Sequence, residues 1–167
     1  PKEKLIVVTL TDYGEARYMG AASGFTYSTN KIPKAAIQYQ LRVFTEKMLS
    51  IPADADVLKK NLKDCYASLT GNSASKLSTF LREESPFVDF GSRIVTVDVE
   101  SILDLSANSY QVDFWLNTSR PDSSGRERTR MRAIMTVKLM EPSKEDRIYN
   151  PLGIYITNFD FTKIGDK

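Results

Sequence analysis

Four arginines stand at alternate positions in the C-terminal third of the sequence, at Arg126, Arg128, Arg130 and Arg132. In an extended strand, alternate side chains project from one face, so these residues would present a row of guanidinium groups. Such a row could bind the phosphates of a nucleic acid or an acidic partner protein. We call these four residues the arginine stripe.

The arginine stripe has a second interpretation, in which it pairs with acids on the same sheet face. Exposed cross-strand ion pairs contribute only about 0.2–1 kcal/mol each, but they keep a hydrated face soluble. The neighbouring strands are predicted to supply Asp98, Glu100, Asp104 and Asp113. Apart from Trp115, the face lacks aromatic residues on which single-stranded nucleic acid stacks. We favour ion pairing and keep a nucleic-acid-contacting module as the alternative.

The residue types needed for most catalytic and metal chemistry are scarce. The sequence has no histidine and one cysteine, Cys65, which excludes Ser-His and Cys-His nucleophile pairs, histidine metal sites and an internal disulfide. Cys65 falls on the apolar face of a predicted helix, so we expect a buried, inert thiol. An isomerase-like site would need an inward aspartate, and none stands out. We predict no catalytic residue, no cofactor and no metal site.

A different kind of signal comes from the Asn150–Gly153 segment, which constrains the backbone without offering chemistry. Pro151 cannot donate a ladder hydrogen bond, and Gly153 can adopt backbone angles closed to other residues. The spacing predicts a rigid turn at the surface that leads into a strand with Ile154 and Ile156 facing outward. In the alternative interpretation, Asn150 only caps the turn and Gly153 only relieves strain.

The elements that position these residues change character near Gly91. Before it, three segments carry apolar residues at helical spacing. Their inward residues are Ile37, Leu41, Phe44 and Met48; Leu58, Leu62, Cys65, Tyr66 and Leu69, with Asp54 or Asp56 as the cap; and Leu77, Phe80 and Leu81.

After Gly91 the apolar period becomes two, which predicts strands. The first is predicted to turn Val99, Leu103 and Leu105 inward and Ile102 outward. Ile102 and Trp115 would then join Ile154 and Ile156 in an apolar patch, which is either exposed or covered by a further helix or the N-terminal hairpin. Later strands are predicted from Arg126 to Met140 and from Ile154 to Phe161, the latter with an inward row of Tyr155, Thr157, Phe159 and Phe161. We therefore predict an α+β domain in which three main helices pack on one face of a curved antiparallel sheet of about four long strands. A short N-terminal hairpin, with strands at Leu5–Thr11 and Glu15–Met19, lies alongside.

The composition fits one globular domain spanning residues 1–167. The chain is 41% hydrophobic and 26% charged, with a formal net charge of +2, too small to indicate a nucleic-acid partner by itself. No apolar run reaches the roughly 18 residues that span a bilayer. Because the sequence opens with Pro1 and not with methionine, we expect a segment upstream of it to have been removed.

In their order along the chain, several short motifs resemble one known family. They are Asp12-Tyr13-Gly14-Glu15-Ala16, Leu41 and Phe44 leading to Ser50 and Asp54, Ser85-Pro86-Phe87 with Gly91, Ser109-Tyr110-Gln111-Val112, Met131-Arg132-Ala133-Ile134 with Val137, and Asn150-Pro151-Leu152-Gly153-Ile154-Tyr155-Ile156-Thr157. The chain resembles the periplasmic domain of TrbF-like conjugal transfer proteins, the inner-membrane assembly component of bacterial type IV secretion systems. The last motif matches that family's Asn-Pro-x-Gly signature.

The resemblance implies a nuclear-transport-factor-like cone, a periplasmic location and one transmembrane helix that this chain lacks. It implies a non-enzymatic scaffold that forms a weak homodimer and contacts other envelope subunits of the secretion machine. The residues that the resemblance and the turn assign to these contacts are Asn150, Pro151, Gly153, Ile154 and Ile156.

Overall fold

The computed structural model describes residues 6–10, 13–21, 32–122 and 125–166. Leu5, Thr11 and Asp12, which belong to the predicted N-terminal hairpin, lie outside the described residues. The rest of that hairpin is formed by β1 (Ile6–Leu10) and β2 (Ala16–Ala21), which pair antiparallel. The hairpin prediction is therefore confirmed for the part of the chain that is described.

Three helices follow, at α1 (Lys34–Leu49), α2 (Ala55–Tyr66) and α3 (Gly71–Glu83). The Asp54 carboxylate caps α2 by accepting a hydrogen bond from the Asp56 backbone N–H at 2.8 Å, which satisfies one of the free donors of a first helical turn. Thr70 and Ser73 form the equivalent capping pair at the start of α3. The inward rows predicted for these helices supply Leu41, Phe44, Leu58 and Leu77 to the buried core.

The main sheet has four antiparallel strands in the order β3-β4-β5-β6. They are β3 (Ile94–Asp104), β4 (Ser109–Ser119), β5 (Arg126–Leu139) and β6 (Ile154–Asp166), with a 3-10 helix at Asp146–Ile148 in the link between the last two. The three helices and one sheet face enclose the core, so the predicted two-layer α+β architecture is confirmed. We call the opposite sheet face, which carries the arginine stripe, the outer face.

A β-bulge in β3 overturns part of the predicted alternation. The pairing with β4 shifts register between Val99 and Ser101, and one extra residue moves every later side chain to the opposite face. Ile102 consequently packs against the core, whereas Leu103 and Leu105 are exposed. The prediction for these three side chains was therefore wrong.

A second bulge corrects the start of β6. The pairing of β5 with β6 shifts register between Thr136 and Val137, opposite the stretch from Ile156 to Asn158. Ile154 and Ile156 lie before the shift and are buried in the core, at 1% and 0% exposure, whereas Phe159 and Phe161 lie after it and face the same core. The expectation that both isoleucines face outward was wrong, because the prediction continued the two-residue alternation of a regular strand across the bulge.

Tyr155 is buried but does not belong to the main core cluster, so the prediction that it joins the inward row was wrong. Its hydroxyl donates a hydrogen bond to the Asp146 carboxylate at 3.0 Å, in the link before β6. Tyr155 therefore fastens this link to the sheet.

Candidate partner-contact surfaces

The Asn150 side chain is a buried connector between three parts of the chain, with only 1% of the residue exposed. Its Nδ2 donates to the carbonyl oxygens of Ala67, at 3.2 Å, and Ile154, at 3.0 Å. Its Oδ1 accepts from the Ile154 backbone N–H at 3.1 Å, and its own N–H donates to the Asp146 carbonyl at 2.7 Å. Asn150 thus ties the link and the loop after α2 to the first residue of β6.

The rest of the Asn150–Gly153 segment is also largely enclosed. Pro151 and Gly153 are buried, and Gly153 has a φ of +63°, a left-handed conformation that glycine adopts without steric cost. The Gly153 carbonyl accepts a hydrogen bond from Met140 at 2.9 Å, which closes the turn onto the end of β5. The expectation that this segment lies at the surface was wrong, because the Asn150 hydrogen bonds draw it inward.

Exposed side chains are found just before the segment. Ile148 is 68% exposed, and Tyr149 is partly exposed beside it. Tyr149 lines a cavity of about 160 Å³ between α1 and the segment, together with Tyr39, Val43 and Leu152. The surface that another molecule can reach here is therefore formed by Ile148, Tyr149 and this cavity, while Asn150 and Gly153 support it from beneath.

On the outer face, half of the arginine stripe is held by carboxylates. Arg132 makes a two-point contact with Asp113, at 2.7 Å from Nε and 2.9 Å from Nη2. Arg130 contacts Glu100 through the same two nitrogens, at 3.2 and 2.9 Å. The predicted ion pairing is confirmed for these two arginines.

The other predicted acids have different partners. Asp98 accepts a hydrogen bond from Asn117 at 2.8 Å, and Asp104 pairs with Lys34 of α1 at 2.5 Å. Arg128 lies over the Trp115 ring, 4.2 Å from its centroid, in a cation–π contact. Because Ile102, Ile154 and Ile156 face the core, the apolar patch predicted around Trp115 is absent from the described structure. Large apolar residues exposed on the outer face include Leu103, Leu105 and Ile134.

Asp113 is the most constrained acid of the outer face, since its side chain is almost wholly covered. The hydrogen bond from Arg132 lowers the pKa of the Asp113 carboxyl, against the opposing effect of burial. A depressed folded pKa adds stability above the unfolded value of about 3.9, and that stability is lost as the pH falls through the folded value.

We expect Asp113→Asn to lower the free energy of unfolding at pH 7 and to match the parent at strongly acid pH. The amide cannot carry the charge that holds Arg132, so the difference disappears once the parent carboxyl is protonated. Urea unfolding between pH 2.5 and 7 measures this, with exposed Glu127→Gln as the matched control. A difference that stays constant over that range would contradict the role of this charge.

The buried polar residues offer little to catalysis. Among the described residues they are Thr45, Ser68, Ser73, Asp113 and Asn150. Asp113 is their only carboxylate, and it belongs to the outer face, not to the enclosed core. No group of three or more His, Cys, Asp or Glu that could hold a metal ion occurs within the described ranges. Burial and the hydrogen bond to Asp146 raise the pKa of Tyr155 to about 12, so this phenol stays protonated at neutral pH.

Cys65 is buried on the inner face of α2, as predicted. Burial raises the pKa of its thiol to about 12, so the reactive thiolate is nearly absent at neutral pH. We expect Cys65 to react with a thiol reagent at least 100-fold more slowly in the folded chain than in urea. Labelling followed by mass spectrometry measures this, and rapid modification of the folded chain would show that Cys65 is accessible.

Sequence reasoning missed the contacts that join the α2–α3 corner to β6. The Ser73 hydroxyl donates to the Ile156 carbonyl at 2.6 Å, and the Ile156 N–H donates to the Ser68 carbonyl at 2.8 Å. These residues are more than 80 positions apart, and serine at a helix start already has a local explanation as a cap. Sequence position alone gives no sign of the second role.

Comparison with known proteins agrees with this architecture. Residues 2–163 match the family model described as VirB8 protein. A curated relative, the conjugal transfer protein TrbF of Rhizobium radiobacter, is 33% identical over 161 residues, which cover 93% of this chain and 70% of the relative. The chain belongs to the VirB8 family, whose members are components of type IV secretion machinery.

Solved structures show the same fold at low identity. The soluble domain of TrwG from the type IV secretion machinery of Bartonella grahamii superposes with a TM-score of 0.69 at 17% identity, covering 80% of this chain and 96% of that one. VirB8 of Agrobacterium tumefaciens gives a TM-score of 0.70 at 12% identity, covering 84% and 97%. The nuclear-transport-factor-like α+β fold is thereby confirmed. Within the described ranges, no helix combines the length and apolarity needed to cross a membrane.

Proposed function

We propose that this chain is the periplasmic domain of a non-enzymatic scaffold in a conjugative type IV secretion machine. The observation that carries the proposal is the 33% identity to a conjugal transfer protein across 93% of the chain. In the proposed arrangement, a single transmembrane helix outside this chain holds the domain at the bacterial inner membrane. The domain pairs weakly with itself and contacts other envelope subunits.

The polar clusters of the described structure support a scaffold over an enzyme. Three of the buried polar residues fasten one element to another. Asn150 joins the link to β6, Asp113 joins neighbouring strands of the outer face, and Ser73 joins α3 to β6. A proton-transfer enzyme of the same fold would need an unpaired acid or base facing the enclosed core. The inward residues support packing instead.

For the contact with other subunits, we place Ile148 and Tyr149 at the interface and give Asn150, Pro151 and Gly153 a supporting role. Exposure supports this division, since the first two can be reached and the last three are enclosed. Ile154 and Ile156 belong to the core and are not contact residues.

The decisive experiment uses the full-length membrane protein in its own host. Deleting its gene is expected to abolish conjugation, and full-length protein expressed in trans is expected to restore it and to co-purify with other envelope subunits after crosslinking. Normal conjugation without the gene, or restored conjugation without co-purifying subunits, would contradict the scaffold role.

Contact with nucleic acid is the competing function. It can be tested at the two arginines of the stripe that have no carboxylate partner in the described structure. Arg126 and Arg128 have no carboxylate partner among the described residues, whereas Arg130 and Arg132 serve the sheet. We expect the parent chain to show no DNA binding at moderate salt. Salt-dependent binding that Arg126→Glu with Arg128→Glu abolishes would favour the competing function.

A further inference from the structure

The turn of the N-terminal hairpin carries the first of the motifs that the sequence shares with its family, Asp12 to Ala16. We call its residues Tyr13 to Ala16 the hairpin turn. In the described structure, β1 and β2 form a sheet of their own, separate from the four-stranded sheet. A two-stranded hairpin is marginally stable by itself, so its position on the domain depends on other contacts.

Gly14 provides one such contact, because it lies directly on the first turn of α1. Gly14 is buried, and a Cβ built on it would stand 2.5 Å from the Ala35 carbonyl oxygen and 3.1 Å from the Ala36 nitrogen. These are backbone atoms of the helix, so no side-chain rotation can make room for the extra carbon. Glycine is the residue that allows two backbones to approach this closely.

Comparison with Gly91 shows that the shape of a turn does not by itself require such a contact. Both glycines have a left-handed φ, +85° for Gly14 and +89° for Gly91, which glycine adopts without steric cost. A Cβ built on Gly91 would meet nothing within 4 Å among the described atoms. Gly14 therefore meets two demands, the shape of the turn and its contact with α1, whereas Gly91 meets only the first.

The hairpin turn lies between two cavities along α1. Tyr13 lines the first cavity, of about 280 Å³, together with residues of α1 and β3. The rest of the turn lines the second, which is the cavity of about 160 Å³ beside Tyr149 and Leu152. Tyr39 of α1 borders both cavities. The turn thus forms one wall of the surface at which we placed the contact with another subunit.

We propose that the hairpin turn, seated on α1 by Gly14, holds the partner-contact surface at Ile148 and Tyr149 in its binding shape. The proposal rests on the subunit contact proposed above and adds a regulating element to it. While the turn is seated, a partner meets a cavity with walls from the hairpin, α1 and the link. When the turn lifts, the cavity loses one wall and merges with its neighbour across Tyr39. Gly14 is thus a positioning residue, since it is buried and acts through the turn.

Gly14→Ala is expected to lift the turn, because the added methyl group has no room against α1 and the left-handed φ is strained. Hydrogen exchange of the 167-residue chain is expected to speed up roughly tenfold in the hairpin turn and at least threefold from Tyr149 to Gly153. Exchange in β4 and β5 should stay at the parental rate. Gly91→Ala has the same φ strain without the contact, and Gly71→Ala has neither. Both are matched controls and should leave the two stretches unchanged.

Crosslinking measures the seating of the turn directly. Tyr13 and Gln38 line the same cavity, so a chain with Tyr13→Cys and Gln38→Cys should be joined internally by a short bismaleimide reagent. Adding Gly14→Ala is expected to lower the yield at least tenfold, and adding Gly91→Ala should leave it unchanged. Cys65 is buried and does not compete for the reagent. An equal yield with and without Gly14→Ala, or parental exchange from Tyr149 to Gly153, would overturn the proposal.

The full-length protein in its host tests the effect on assembly. At parental protein level, Gly14→Ala is expected to lower conjugation frequency at least tenfold and to co-purify with fewer envelope subunits after crosslinking, while Gly91→Ala stays within twofold of the parent. If the turn lifts but conjugation and co-purification are parental, this proposal fails and the scaffold function stands. If both variants lose conjugation together with protein level, strain in a glycine turn explains the loss and the proposal fails. Normal conjugation without the gene would instead remove the proposed function itself.

Discussion

Replacing Asn150 with alanine is expected to lower the free energy of unfolding by about 3 kcal/mol or more. The change leaves the carbonyl oxygens of Ala67 and Ile154 and the N–H of Ile154 without their present partner in a buried place. Each buried unsatisfied group costs about 1–3 kcal/mol. For a domain of this size, the loss would lower Tm by roughly 5–10 °C. Urea and thermal unfolding followed by circular dichroism measure both quantities.

Two further variants separate the hydrogen bonds from simple loss of volume. Asn150→Asp keeps the shape but loses both Nδ2 donors, so its carboxylate would face two carbonyl oxygens and should destabilise the chain more at pH 7 than at pH 4. Asn158→Ala removes an exposed asparagine of the same sheet and should change stability by less than about 0.5 kcal/mol. Equal unfolding free energies for Asn150→Ala and the parent would show that the buried amide is not a stabilising connector.

The helices and the order of the strands could be predicted because they follow from local periodicity. Leu41, Phe44 and Met48 repeat at helical spacing, and Asp54 stands where a cap is required. Val95 and Val97 alternate with polar residues, so the first half of β3 was assigned to the correct face. These patterns depend on neighbouring residues alone, which is why they can be read from a single sequence.

The two bulges could not be predicted, and they determine which side chains a partner can reach. A bulge arises from the fit between a strand and its neighbour. In the sequence each bulge shows only as two consecutive polar residues, Glu100-Ser101 and Thr157-Asn158, which a strict period of two overlooks. The extra residue in β3 moved Leu103 from the predicted core to the outer face, and the extra residue in β6 moved Ile154 and Ile156 from the predicted outer face to the core. The apolar side chains that a partner can reach are therefore not the ones that the sequence predicted.

Asn150 illustrates a third limit, which is distance along the chain. Its partner Ala67 is 83 positions away, so no local pattern distinguishes an asparagine that caps a turn from one that joins two layers. The sequence did show that the Asn150–Gly153 segment is conformationally restricted. The structure indicates what the restriction achieves, since the turn closes the link onto β6 and supports the surface formed by Ile148 and Tyr149.

Gly153→Arg provides the test that separates support from contact. Gly153 is buried and has a φ of +63°. A residue with a Cβ in that conformation costs about 1–2 kcal/mol before its side chain is accommodated. We now expect Gly153→Arg to lower Tm clearly and to reduce conjugation through loss of folded protein.

Ile148→Arg is the complementary variant. Its side chain is 68% exposed, so we expect a Tm within about 1 °C of the parent together with a more than tenfold drop in conjugation frequency, because a charge would enter the contact with another subunit. Gly153→Asn is the backbone control, since asparagine tolerates the left-handed conformation better than other residues, and it should retain more of both stability and conjugation than Gly153→Arg. Each is measured in the full-length protein by mating assays, with protein levels followed by immunoblotting and Tm determined on the 167-residue chain. If Ile148→Arg conjugates like the parent while Gly153→Arg fails at parental Tm and protein level, the buried turn itself would be the contact, and the supporting role assigned to it here would be wrong.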